Sequence, residues 1–171
     1  QLRAAGAVVV GLTNMHELAF GITSDNAHYG AVASPLDPAR MAGGSSGGTA
    51  AAVGAGAVPA GLGSDTGGSG RLPAAMCGCV GFRPTSGRYD GTHLLTLSHT
   101  LDTVAPFGAD VGQVAALDAV MAGCPNDADT LAVNSLRIGV INDPFWTGLD
   151  AGMEKAGRKG PVSSVGAGRA V

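Results

Sequence analysis

Apolar positions along the chain fall into short runs separated by breaks rich in glycine and proline, and the runs differ in period. AGAVVVGLT, residues 5–13, carries three consecutive valines between Gly6 and Gly11, which predicts a short strand buried on both faces. Residues 2–5 read as the close of a preceding helix, NMHELAFG as a short helix after Asn14, and SPLDPAR as a proline-punctuated loop. From Gly47 to about Val58 the small residues favour a helix, because alanine has the best propensity and glycine permits close packing. Ser45 and Ser46 stand at its N-terminus. AGLGSDTGG reads as a strand running into a loop, and GRLPAAMCG as a short helix behind it. Across 110–122, Val111, Val114, Leu117 and Met121 keep a helical period in which Asp118 is the polar member, with Asp110 as N-cap and Gly123 as stop. LRIGVI, residues 136–141, is a further strand. Strands alternating with helices predict an α/β class with a central mixed or parallel sheet flanked by helices.

Length and composition narrow this picture. A chain of 171 residues forms one ordinary domain. Its 29 glycines lack any collagen-like period and sit among Ala, Val and Leu, which suits a globular chain with tight turns. Ten basic and thirteen acidic residues give a net charge of −3, so no electrostatic footprint for nucleic acid or an anionic membrane is expected. The sequence contains no run of eighteen apolar residues, and QLRAAGAVVVG lacks the length and cleavage pattern of a signal peptide. A cytoplasmic location is the expectation. Cys77, Cys79 and Cys124 are odd in number, and Cys77 and Cys79 read as reduced core thiols rather than a metal site. The segment 155–171 has no amphipathic period, is rich in Gly, Ser, Lys and Arg, and holds both lysines of the chain, Lys155 and Lys159. It reads as an aberrant or disordered tail behind a domain portion spanning 1–154.

The chemistry concentrates in Gly43 to Arg71. The stretch GAVVVGLT has the spacing of a phosphate-binding loop, but Leu12 stands where that loop needs lysine and its four intervening residues form a strand. No nucleotide or other cofactor is expected, and His16, His28, His93 and His99 show no metal-ligand spacing. GGSSG fits the Gly-x-Ser-x-Gly nucleophile elbow. That elbow would need an acid and then a histidine downstream; Asp118 has no histidine after it, which leaves acids such as Asp90. In SDTGGSGR the successive amides of Thr66, Gly67, Gly68 and Ser69 could curl around a developing oxyanion, with Ser69 as the nucleophile beside them. For either serine site alone the competing reading is a glycine-rich turn of conformational use. Two such sites within 29 residues favour chemistry.

GGSSGG followed by GLGSDTGGSGRLPAAMCGCVGFRPTSGR closely resembles the signature stretch of the amidase signature family, serine hydrolases of carbon–nitrogen bonds. The flanks GLTNMHELAFG and LSHTLDTVAPFGADV are similar to that family's neighbouring segments, so the resemblance covers roughly residues 1–154. It implies the amidase signature fold, with Ser69 as nucleophile and Ser45 as a bridging serine on a cis peptide. A neutral lysine would accept the proton through Ser45, with no histidine, metal or cofactor. Thr66, Gly67, Gly68 and Ser69 would supply oxyanion N–H groups, Asp65 and Arg71 would brace the loop, and Ser46 would hydrogen-bond beside it. The substrate implied is a small-molecule primary amide. GRYDGTHLLTLSHTLDTVAPFGADV is most similar to arylacetamide-hydrolysing members such as indoleacetamide and mandelamide hydrolases. The family's glutamyl-tRNA amidotransferase subunit, which works with partner subunits, is the alternative, and a homodimer is compatible with a full-length parent.

Three departures qualify the resemblance. The family's catalytic lysine lies further upstream of the bridging serine than the 44 residues preceding Ser45, and no lysine occurs before Lys155. Leu12 replaces a lysine of the family's GKTN segment, and Gly70 stands where a β-branched residue commonly follows the nucleophile. The expectation is a central portion of an amidase domain, incomplete at both ends and inactive alone, either a partial sequence or a truncated remnant.

Overall fold

The computed structural model describes residues 1–124, 132 and 147–156. Two compact units divide the chain, Gln1–Asn126 and Asp127–Val171. In the second, residues 151–156 are helical, and the Asp150 carboxylate caps them by accepting the amides of Gly152 and Met153 at 2.8 and 2.9 Å. The strand expected at 136–141 and the tail from 157 onward lie outside the described residues. Among those described, no helix is long and apolar enough to cross a membrane.

The first unit holds β1 (Asp25–Asn26), β2 (Gly30–Ala31), α1 (Gly47–Gly54), β3 (Ala60–Asp65), α2 (Arg71–Cys77), β4 (Val80–Gly81), β5 (Thr103–Gly108) and α3 (Val111–Ala122). Strand β5 lies between β3 and β4, and both ladders are antiparallel, running from Ala60 opposite Gly108 to Asp65 opposite Thr103 on one side. The helix-flanked sheet matches the expected α/β class, and its ladders among the described residues are all antiparallel. Ala42, Ala50, Val53, Ala74, Cys77, Ala105 and Phe107 form the core where α1 and α2 meet the sheet. Small residues permit that closeness: a β-carbon on Gly54 would lie 2.1 Å from the Cys77 carbonyl oxygen.

Local signals set the element ends. The Asp110 carboxylate accepts the Gln113 amide at 2.8 Å, Gln113 reaches back to the Ala109 amide at 2.8 Å, and Gly123 closes α3 at φ +65°. The helices expected at residues 2–5 and after Asn14 are single 3-10 turns, Arg3–Ala5 and Glu17–Ala19. The latter bends through positive φ at Leu18 and Ala19.

The valine run departs most from expectation. Residues 7–12 have no strand assignment, Val8, Val9 and Val10 are exposed, and Leu12 is 100% exposed. Nothing pairs with this segment as a ladder among the described residues, so its β-branched side chains remain in solvent. Because Leu12 makes no buried contact, Leu12→Lys should change unfolding free energy by less than about 0.5 kcal/mol. It should also lower self-association in sedimentation velocity. A clear loss of stability would show that Leu12 packs.

Candidate active site

The turn from Gly43 to Gly47 is held from both sides. The Gly44–Ser45 peptide is cis. The Ser45 carbonyl accepts the His16 amide at 2.9 Å and the Ser24 hydroxyl at 3.0 Å, and the Ser24 Oγ in turn accepts the Gly47 amide at 3.0 Å. Ser24 is fully buried at φ +54°, a conformation uncommon for a residue with a side chain. It packs so closely that a β-carbon on Gly44 would lie 2.8 Å from the Ser24 nitrogen. Ser46 ties the turn to β3: its Oγ donates to the Ser64 carbonyl at 3.3 Å and accepts the Ser64 amide at 3.2 Å. Its amide donates to the Ser69 carbonyl at 3.4 Å, joining the two serine-bearing turns. Ser45 is completely buried, and its Oγ has no hydrogen-bond partner among the described residues.

The second turn is organised around Asp65, fully buried at the end of β3. Its Oδ1 accepts the Gly68 amide at 2.9 Å, Arg71 Nη2 at 3.1 Å and Arg83 Nη1 at 3.0 Å. Its Oδ2 accepts the amides of Gly70 and Arg71 at 3.1 and 3.3 Å and Arg71 Nε at 3.0 Å. Burial pushes the Asp65 carboxyl up, but Arg71 and the Gly70 and Gly68 amides outweigh it and hold the group below its ordinary value. The carboxylate thus draws the chain from Gly68 to Arg71 into a curl, with Gly68 at φ +127°. Of the four amides expected to face an oxyanion, that of Gly68 is given to Asp65. Those of Thr66, Gly67 and Ser69 have no acceptor among the described residues.

A cleft of about 390 Å³ opens over this turn. Thr66, Gly67 and Ser69 line it together with the apolar side chains of Phe20, Ile22 and Leu97. Ser45, Ser46, Asp65, Ser69 and Arg71 therefore belong to one connected network beside one cleft. Asp118 belongs elsewhere: it accepts Arg88 Nε and Nη2 at 2.7 and 2.6 Å and the Tyr89 hydroxyl at 2.6 Å, and with these partners it does not serve as a histidine-orienting acid. Asp90 caps its own turn by accepting the Thr92 amide at 2.9 Å. The thiols of Cys77 and Cys79 donate to the Ala42 and Ala50 carbonyls, and burial pushes Cys77 up to about 11.

Sequence reasoning did not single out Ser24, Arg83 or Asp102. Each acts on a partner at least 18 residues away, and no local pattern marks such a contact.

A family model described as Amidase matches residues 1–159. The indoleacetamide hydrolase of Pseudomonas savastanoi is 47% identical over 156 residues, covering 91% of this chain and 34% of that protein. A glutamyl-tRNA(Gln) amidotransferase subunit of Chloroflexus aurantiacus is 42% identical over 172 residues, covering 92% of this chain and 35% of that protein. Among solved structures, a crystal structure of an amidase superposes with a TM-score of 0.70 at 47% identity, over 72% of this chain and 28% of that one. The corresponding amidotransferase subunit of Thermotoga maritima gives 0.69 at 44% identity, over 76% and 29%. The chain spans about a third of the length of the curated relatives it matches.

Proposed function

Because this chain belongs to the amidase family, we propose that residues 1–154 are the serine-bearing portion of a hydrolase that cleaves a primary amide to a carboxylic acid and ammonia in the cytoplasm. Ser69 is the nucleophile and Ser45 the bridging serine. One observation carries this reading: the two glycine-embedded serine turns are hydrogen-bonded to each other through the Ser46 amide and the Ser69 carbonyl, and the adjacent Ser45 hydroxyl is buried and unpartnered among the described residues. A buried hydroxyl without a partner costs about 1–3 kcal/mol, and relaying a proton gives it one on either side.

In the reaction, Ser69 Oγ attacks the amide carbonyl while its proton passes to Ser45 Oγ, which gives its own to a base. The resemblance assigns that base to a lysine, and residues 1–154 contain none. The oxyanion accepts hydrogen bonds from the free amides of the Thr66–Ser69 turn. Collapse returns a proton to nitrogen, ammonia leaves, and water cleaves the acyl-Ser69 ester. Asp65 and Arg71 keep the turn curled throughout. The apolar surface of Phe20, Ile22 and Leu97 favours an arylacetamide as substrate, in keeping with the relatives named indoleacetamide hydrolase. The relatives named as an amidotransferase subunit support a second reading, the same chemistry within a multi-subunit transferase.

Fluorophosphonate labelling of a catalytically complete version of this chain, one that also carries the lysine-bearing segment, tests the assignment. The adduct should map by mass spectrometry to Ser69, vanish in Ser69→Ala and persist at a reduced rate in Ser45→Ala. An adduct on Ser45 in the Ser69→Ala protein would reverse the roles, and a protein that also carries the lysine-bearing segment yet takes no label would remove Ser69 as nucleophile.

A further inference from the structure

Asp102 joins two chain segments that line the cleft. Its Oδ1 accepts the Thr66 hydroxyl at 2.5 Å, and its Oδ2 accepts the amides of Leu97 and Ser98 at 2.7 and 2.8 Å. Thr66 opens the turn that carries Gly67 and Ser69, while Leu97 supplies apolar surface to the same cleft. Burial pushes the Asp102 carboxyl up, but the Thr66 hydroxyl and the two amides outweigh it and hold the group below its ordinary value. An ionised oxygen makes each of these bonds charge-assisted. Asp102 makes no ion pair with arginine or lysine among the described residues; besides its three donors, the nearby His99 also favours its ionised form. Arg83 fastens the same two segments alongside, donating to Asp65 Oδ1 at 3.0 Å and to the Leu101 carbonyl at 2.6 Å.

We propose that Asp102 is a positioning residue that couples the oxyanion turn to the apolar wall of the cleft, so that an acyl group seated against Leu97 finds the Gly67 and Ser69 amides already aligned. This rests on the assignment of Ser69 and its turn given above. The carboxylate works as a three-point staple beside the clamp that Arg83 supplies: loss of the Thr66 hydroxyl loosens the wall, and loss of the wall loosens the turn.

The test uses the whole 171-residue chain with Asp102→Asn, Thr66→Val and Thr66→Ser. Asparagine keeps the size but turns one acceptor oxygen into a donor, so it cannot hold both sides. Valine removes the hydroxyl at constant shape, and serine keeps it. Amide hydrogen exchange by NMR should show Leu97 and Ser98 about tenfold faster in Asp102→Asn. They should also be several-fold faster in Thr66→Val, at the far side of the staple, and unchanged in Thr66→Ser. Wild-type exchange at Leu97 and Ser98 in Thr66→Val would overturn the coupling. Phenylacetate, a product-like carboxylate, should shift the Gly67 and Ser69 amides on titration. Its Kd should rise about tenfold in Asp102→Asn and Thr66→Val, and stay at the wild-type value in Thr66→Ser. An unchanged Kd in Asp102→Asn would overturn the positioning role. Wild-type protein whose Gly67 and Ser69 amides ignore phenylacetate would instead remove the reading of the turn, and the exchange measurements would still decide whether Asp102 couples the two segments.

Discussion

Replacing Asp65 with alanine is expected to destabilise the first unit by roughly 3–5 kcal/mol, the range for removing one partner of a buried charge network. The carboxylate is fully buried and accepts from three amides and two guanidinium groups. The Arg71 side chain is 53% exposed, so solvent screens its share and water replaces much of what it loses. Arg83, at 20%, and the buried amides of Gly68 and Gly70 carry most of the cost. The pH dependence follows from the lowered folded-state value. Stability contributed by Asp65 is complete above the unfolded carboxyl value of about 3.9 and is lost as pH falls through the lower folded value. The gap between wild type and Asp65→Ala should therefore be full at pH 7 and narrow in acid below about pH 4. Urea unfolding at pH 7 and pH 3 measures it. A difference at pH 7 below about 1 kcal/mol would mean that the turn does not depend on its central acid.

Where a signal is local, the sequence was enough to place the element. Helix α3 was legible through its N-cap and glycine stop, and β3, the Thr66–Ser69 turn and α2 through the glycine spacing around Asp65. The connection between the two serine turns required the structure, because the Ser46 amide meets the Ser69 carbonyl only after β3 has folded back beside α1. Ser24, Arg83 and Asp102 were illegible for the same reason. The valine run misled because a β-branched segment states a preference for strand pairing without supplying a partner, and residues 7–12 have none among those described. Asp118 is set aside as an elbow's acid by the sequence itself, for want of a downstream histidine; its partners Arg88 and Tyr89, 30 and 29 residues away, needed the structure.

Gly70 offers the sharpest test of packing beside the site. The resembled family commonly places a β-branched residue there, and the backbone here, at φ −90° and ψ −39°, would accept one. Space is what forbids it: a β-carbon on Gly70 would lie 2.5 Å from the Ala105 methyl and 3.3 Å from Asp65 Oδ2. Ala105 is itself fully buried on β5, opposite Gly63, so it cannot swing aside. Gly70→Val should consequently cost about 3 kcal/mol, at the upper end of overpacking penalties. Ala105→Gly alone should cost about 1 kcal/mol through strand entropy and the lost methyl. Together the two changes exchange volume across one contact, so the double variant should be more stable than Gly70→Val alone, with a coupling of at least about 1 kcal/mol. Urea unfolding of the four proteins completes the cycle. Strictly additive costs would show that the Ala105 methyl is not what excludes a side chain at position 70, leaving Asp65 as the group that a β-carbon there disturbs.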